Sequence, residues 1–141
     1  MPVYNPVSDH YHRAHAYFMQ RSGMVEARTW QILESAPIPH KDVKEANESM
    51  TRNISSALRL GDLAYIGANL EWIEGMMINY GMPFEQMQLF LEAYHQAAAD
   101  GLQGEEGQLV VDWLGEVVRI AESADSSFRF TQIEATHLTS A

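Results

Sequence analysis

Cysteine is missing altogether from the 141 residues. That excludes a disulfide framework, a thiolate metal centre and any cofactor attached through a thioether. It suits a reducing compartment. Lysine and arginine are missing from residues 60 to 118, a stretch that holds ten acidic residues. No apolar run approaches the roughly 18 residues of a membrane span. The opening MPVYNPVSDHYH has no apolar signal-peptide core. The expectation is a soluble, cytoplasmic protein. A net charge of -10 sets it against polyanions, so neither nucleic acid nor an anionic membrane is an expected partner.

Charge is unevenly spread. Residues 1 to 59 carry seven basic and six acidic groups. The N-terminal third is therefore nearly balanced and the middle of the chain is acidic. Such a middle is either a solvated face or a surface for a basic protein partner.

What is present is helical periodicity, nearly from end to end. In the first segment Ser8 and Asp9 are cap candidates, Tyr11, Ala14 and Phe18 form one stripe, and Val25, Trp30 and Leu33 continue it. Gly23 is a place for a break or bend. The APIPH stretch stops the helix, because a residue before proline is pushed out of the helical region. A second helix is expected from about His40 to Leu60, with Val43, Ala46, Met50, Ile54 and Ala57 as its apolar stripe. Gly61 is a natural C-terminal cap and Asp62 a natural N-cap. The third helix then runs to Tyr80 with two stripes: Ile66, Ile73, Met77 and Tyr80, and Tyr65, Trp72 and Met76. Gly81 and Pro83 make the next joint, followed by Met87, Leu91, Tyr94 and Ala98 in line. A last strong helix is expected from about Glu105 to Ser123, with Val110, Trp113, Val117 and Ile120 inward. Residues 124–141 lose the period and read as an irregular tail, with Phe128, Phe130 and Ile133 as anchors. The expected fold is one all-α domain of five to six helices over residues 1–141, globin-like or a helical bundle.

No catalytic constellation accompanies this pattern. There is no nucleophile elbow, no Gly-rich phosphate loop and no HExxH. His10, His12 and His15 cluster near the start. His12 and His15 share a helix face but His10 and His12 do not, so a helix keeps all three off one metal. His95 is different. It stands at the border of the apolar stripe of Leu91, Tyr94 and Ala98. From there it can reach a buried ligand with one ring nitrogen and bond water or a carbonyl with the other.

The segment LEWIEGMMINYGMPFEQMQLFLEAYHQ, residues 70–96, concentrates soft and flat side chains. Trp72 and Met76 share one face of the third helix, with Tyr65 and Tyr80 on the same element. Met87, Leu91 and Tyr94 share the inward face of the next. A tight Gly81–Pro83 turn predicts that the two helices pack antiparallel as neighbours. Methionine adapts to an irregular flat ligand, and tyrosine adds a plane with a polar tip. These residues are the candidate pocket lining. The same stripe is what an ordinary helical core looks like.

The longer stretch ALRLGDLAYIGANLEWIEGMMINYGMPFEQMQLFLEAYHQAA ends one helix in L-G-D, puts a Trp in the next and turns through G-M-P. In this it resembles the helical tetrapyrrole-binding modules. It is similar to the four-helix cap of cobalamin-binding sensor domains. It also resembles the globin-like proteins related to phycobiliproteins, including the bilin-biosynthesis-associated globins. The likeness is best over residues 57–98 and extends loosely over 8–123. A haem globin implies a proximal histidine with Leu one turn earlier, which Leu91 and His95 supply; the distal histidine and the phenylalanine are not evident. A cobalamin cap implies a Trp over the corrin, which Trp72 supplies; some members follow it with Glu-His, where this chain reads YGM. A phycobiliprotein implies a Cys-linked bilin. Without Cys the pigment is held non-covalently, Glu74 or Glu92 accepts its pyrrole N–H groups, and Arg13, Arg52, Arg59 or Arg119 receives its propionates.

The resemblance thus implies a non-covalent tetrapyrrole-binding sensor, carrier or scaffold. A biliverdin-like linear bilin comes first and haem, through His95 as metal ligand, second; cobalamin ranks below both. The competing expectation is a ligand-free acidic helical interaction module, as a homodimer or with a basic protein partner.

Overall fold

The computed structural model describes the backbone of residues 6–63 and 70–139, and side chains at 9–63, 74–79 and 81–123. Within them the chain forms five α-helices and no strand. They are α1 (Pro6–Ile32), α2 (His40–Leu60), α3 (Leu70–Tyr80), α4 (Phe84–Gly101) and α5 (Gly104–Thr139). The all-α helical bundle read from periodicity is what is found.

Each joint follows from local chemistry. α1 closes where Leu33 and Glu34 bond back to Thr29 and Gln31, just before Pro37 and Pro39 forbid further helix. Pro39 is the N-cap residue of α2, and its carbonyl accepts from Asp42 and Val43. Gly61 ends α2 at φ 87°, with the Gly61 and Asp62 amides donating to Leu58 and Ala57 carbonyls. Only glycine enters that left-handed conformation without strain. Gly81 repeats the device after α3, at φ 60°. Pro83 then occupies the N-cap of α4. The α4–α5 joint is tighter than the expected loop: only Leu102 and Gln103 separate the helices. The Leu102 amide donates to Ala98, and the Gln103 amide to the Tyr17 hydroxyl.

Three readings are corrected. Gly23 neither breaks nor bends the first element out of helix; α1 runs through it as one 27-residue helix. One glycine costs less than the packing of Phe18 and Val25 on either side returns. Residues 124–139 are helical as part of α5, where an irregular tail was expected. Periodicity weakens there, but no Gly or Pro follows Gly115 to stop the helix. Trp30 is not inward. It is 38% exposed and packs against His40 at the α1–α2 corner, ring centroids 5.1 Å apart and planes tilted by 54°.

The core centres on α4. Phe84, Met87, Phe90, Leu91, Ala93, Tyr94, Ala97 and Ala98 are all buried, a face about half of the helix circumference wide. α4 packs chiefly against α1 and α5, and α1 also covers α2. From α1 come Ala14, Phe18 and Val25; from α2, Met50 and Ile54; from α5, Val110, Leu114 and Val117. α3 is peripheral, resting lightly on α5 and α2. No helix among the described residues is long and apolar enough to cross a membrane.

Two glycines give opposite expectations. A Cβ at Gly107 would stand 2.8 Å from the Leu102 carbonyl carbon, whereas one at Gly23 meets nothing within 4 Å. Gly107→Ala should lower stability by about 1–3 kcal/mol. Gly23→Ala should raise it by about 0.5–1 kcal/mol. Urea midpoints of the two variants against the parent check both.

Candidate functional site

The α4 residues named from sequence do come together. Met87, Leu91 and Tyr94 lie on the inward side of α4 and are 0–1% exposed. They are buried among protein side chains: the Tyr94 ring meets Phe90 at 5.9 Å. Met76 of α3 is also buried, at 5% exposure. Trp72 and Tyr80 lie on α3 with side chains outside the described residues, and Tyr65 lies outside the described residues altogether.

One expected relation fails. α3 and α4 do not pack as antiparallel neighbours; α3 makes its main contacts with α5 and α2. The reason is the turn. Gly81 takes a left-handed φ and Pro83 leaves it extended at ψ 155°. Met82 plugs into the core at 2% exposure, so the chain enters the bundle before α4 starts. The two helices are splayed by this anchored joint.

His95 is half-buried as expected, and its ring is turned to α5. A Cβ added at Gly115 would lie 3.4 Å from His95 Nε2. The missing side chain at Gly115 is what admits the imidazole. The resulting contact is helix-to-helix packing, with Nε2 against the neighbouring backbone.

The carboxylates divide by burial. Glu74 is exposed. Glu92 is partly buried, and burial followed by the nearby Glu122 pushes its carboxyl above the usual range. The cations divide as well. Arg13 is paired with Asp9 and with Glu106, and Arg119 with Glu116, which lowers the Glu116 carboxyl in turn. Arg52 and Arg59 are exposed on the side of α2 opposite Met50 and Ile54. They point away from the interior and offer no hold to an acid inside it.

The N-terminal histidines part company, as helical geometry requires. His10 lines an open groove of about 540 Å³ between α1 and α5, with Arg13, Glu105, Gln108, Leu109 and Asp112. His15 Nε2 is 3.2 Å from Ser55 Oγ on α2, and His12 is exposed. No group of three or more His, Cys, Asp or Glu placed to hold a metal ion occurs among the described residues.

Sequence reading missed the polar partners of Tyr94. Its hydroxyl is 2.8 Å from Thr51 Oγ1, and burial pushes the phenol well above its ordinary value. Thr51 also acts on the Glu26 carboxyl, holding it down in part against the rise that burial causes. The available signal was Thr51 itself, a hydroxyl at the edge of an apolar stripe, but nothing in one sequence pairs it with a residue 43 positions away.

Comparison with known proteins adds no relative. No family model, curated protein or solved structure matches this chain. The likeness to tetrapyrrole-binding helical proteins therefore rests on the L-G-D and G-M-P joints and the residues between Trp72 and His95.

Tyr94→Phe removes one hydroxyl from the dry interior, and with it the bond to Thr51. Loss of one such hydrogen bond should cost about 0.5–1.5 kcal/mol. Leu91→Ala, which opens a cavity in the same layer, should cost about 2–5 kcal/mol. Chemical denaturation of both variants side by side tests whether this layer is closed core.

Proposed function

We propose that this protein holds a tetrapyrrole non-covalently, in the cytoplasm, as a sensor, carrier or scaffold. A biliverdin-like linear bilin is the first choice, haem the second, and cobalamin ranks below both. One observation carries the reading. α3 is rich in apolar residues, including Trp72, Ile73, Met76 and Met77, yet it touches the bundle only lightly and does not close on α4. Ile78 is 80% exposed. Met76 is buried against the bundle and Met77 partly so, which leaves Ile78 as the open apolar side chain among the described ones of α3, and a flat apolar molecule lying along that side would cover it. Bound there, a bilin would contribute its conjugated chromophore. The chain contributes a water-excluding Met and Trp face and a carboxylate.

Glu92 suits that second task. A partly desolvated carboxylate gains from N–H donors, which pyrrole rings provide. The rest of the predicted lining changes role. Met87, Leu91 and Tyr94 are the buried wall behind such a site, while Tyr65, Trp72, Met76 and Tyr80 belong to the element that would face it. Haem stands second on geometry: His95 would have to leave Gly115 to reach an iron. Among the described residues propionates find no inward-facing arginine, so a bilin's acid groups would remain in solvent.

The same exposed Ile78, with Glu74 one turn before it on a stretch free of Lys and Arg, also favours a second reading. In that reading α3 is the face of a ligand-free interaction module that takes a basic protein partner or a second copy.

Pigment supply separates the two. The protein is expressed with haem available, and separately with biliverdin made in the same cells, and absorption spectra are taken. A red-shifted bilin band that survives His95→Ala and weakens in Trp72→Ala is the expected result. A Soret band lost in His95→Ala would put haem first. A colourless protein under both regimes defeats the tetrapyrrole reading and leaves the interaction module.

A further inference from the structure

All sulfur in this protein is methionine sulfur, since the 141 residues include eight Met and no Cys. Met50, Met76, Met82 and Met87 are buried, at 5% exposure or less. Among the described residues the exposed methionines are Met19, at 50%, and Met24, at 46%, both on α1. An oxidant in solution therefore reaches α1 before it reaches the core.

Met19 takes part in a contact between helices. Ser55 Oγ of α2 stands 3.2 Å from Met19 Sδ. His15 Nε2, one turn before Met19 on α1, stands 3.2 Å from the same Ser55 Oγ. A thioether only accepts, so the Ser55 proton goes to sulfur. The serine has no second proton to give, so His15 donates to it and carries its hydrogen on Nε2. The donors therefore run in one direction, from His15 through Ser55 to Met19. His15 and Ser55 are half-buried, and the series ends on the exposed sulfur, a weak acceptor.

We propose that Met19 is an oxidation site for peroxides, and that its sulfoxide ties α1 to α2 more firmly than the thioether does. A sulfur lone pair attacks one oxygen of hydrogen peroxide, and the S–O bond forms as the O–O bond breaks. The proton on the transferred oxygen passes through solvent to the departing hydroxide, which leaves as water. Sulfur gives up two electrons and the peroxide takes them. A sulfoxide oxygen is a strong acceptor, so the Ser55 hydroxyl turns from sulfur to it. The half-exposed position keeps the new polar group in reach of water, so it carries no burial penalty. A thiol-dependent reductase reverses the step: two thiols become a disulfide and the oxygen leaves as water. Met24 has a different setting. Its terminal methyl lies beside Gly101 of α4, where a Cβ would stand 3.3 Å from it. A sulfoxide there disturbs an apolar contact, the usual result of methionine oxidation.

Dilute hydrogen peroxide applied to the full chain carrying Met24→Leu tests the proposal. Peptide mass spectrometry locates the oxygen, and thermal midpoints are taken before and after. Met19 should become sulfoxide while the buried methionines stay reduced. The midpoint shift on oxidation should be more positive, by about 2–5 °C, than in the same chain with Ser55→Ala, the worth of one improved hydrogen bond. Ser55→Thr keeps the hydroxyl and should keep the response. Equal shifts with and without the Ser55 hydroxyl overturn the proposal. So does a Met19 that stays reduced while free methionine is oxidised. If Ser55→Ala does not fold, Met19→Gln, whose amide oxygen stands in for the sulfoxide, should melt above Met19→Leu. A Met19→Gln protein melting at or below Met19→Leu overturns the proposal equally.

Discussion

Burial of one broad face of α4, about half of its circumference, is the constraint on which the other elements depend. Eight of its residues are buried, and they include three of the larger side chains in the core, Phe84, Phe90 and Tyr94. A face that broad needs more than one partner. α1 and α5 provide them, and α2 is held in place largely by lying on α1. The short α4–α5 joint follows from the same demand. It is locked by Gly107 against Leu102 and by the Gln103 amide on Tyr17, so α5 returns directly along α4. Packing density in such an interior leaves little freedom for side chains of another volume.

Polar groups within this interior are few and specific. Thr29 bonds its own helix at Val25, and Asn47 reaches across to Glu26. Tyr94 is the one large phenol of the central layer, and its hydroxyl is met by Thr51. Asn47 joins α2 to α1 and Tyr94 joins α4 to α2, so these two fix how the helices sit more sharply than apolar contact alone does. The surface pairs differ. Arg28 with Asp100 and Arg13 with Glu106 join α1 to the acidic half from outside, in positions where solvent screens them.

Much of the fold could be read from residues alone. The α2 stripe of Val43, Ala46, Met50, Ile54 and Ala57 is buried as its spacing requires. The Gly61 cap and the Gly81 turn stand where the residue type demands them. Periodicity identifies an inward face but not the element it faces. That is why Met87, Leu91 and Tyr94 were placed together correctly while the pairing of α3 with α4 was not. Turn length suggests neighbours; here Met82, buried in the middle of the joint, redirects the chain. Likewise Trp30 satisfies a helical stripe yet lies outside, because the α1–α2 corner leaves it His40 to cover. His95 was legible as a boundary residue, but its partner is an absence, the missing side chain of Gly115.

The light seating of α3 has a consequence for energetics. A segment with few buried contacts opens at a free energy well below that of the whole molecule. An occupant of the kind proposed would have to hold it still, so its association would be partly an ordering reaction. Its heat-capacity change then exceeds what the area of contact accounts for. Affinity at that face becomes adjustable from within the chain, since any substitution that steadies the resting helix reduces the entropy lost when an occupant arrives.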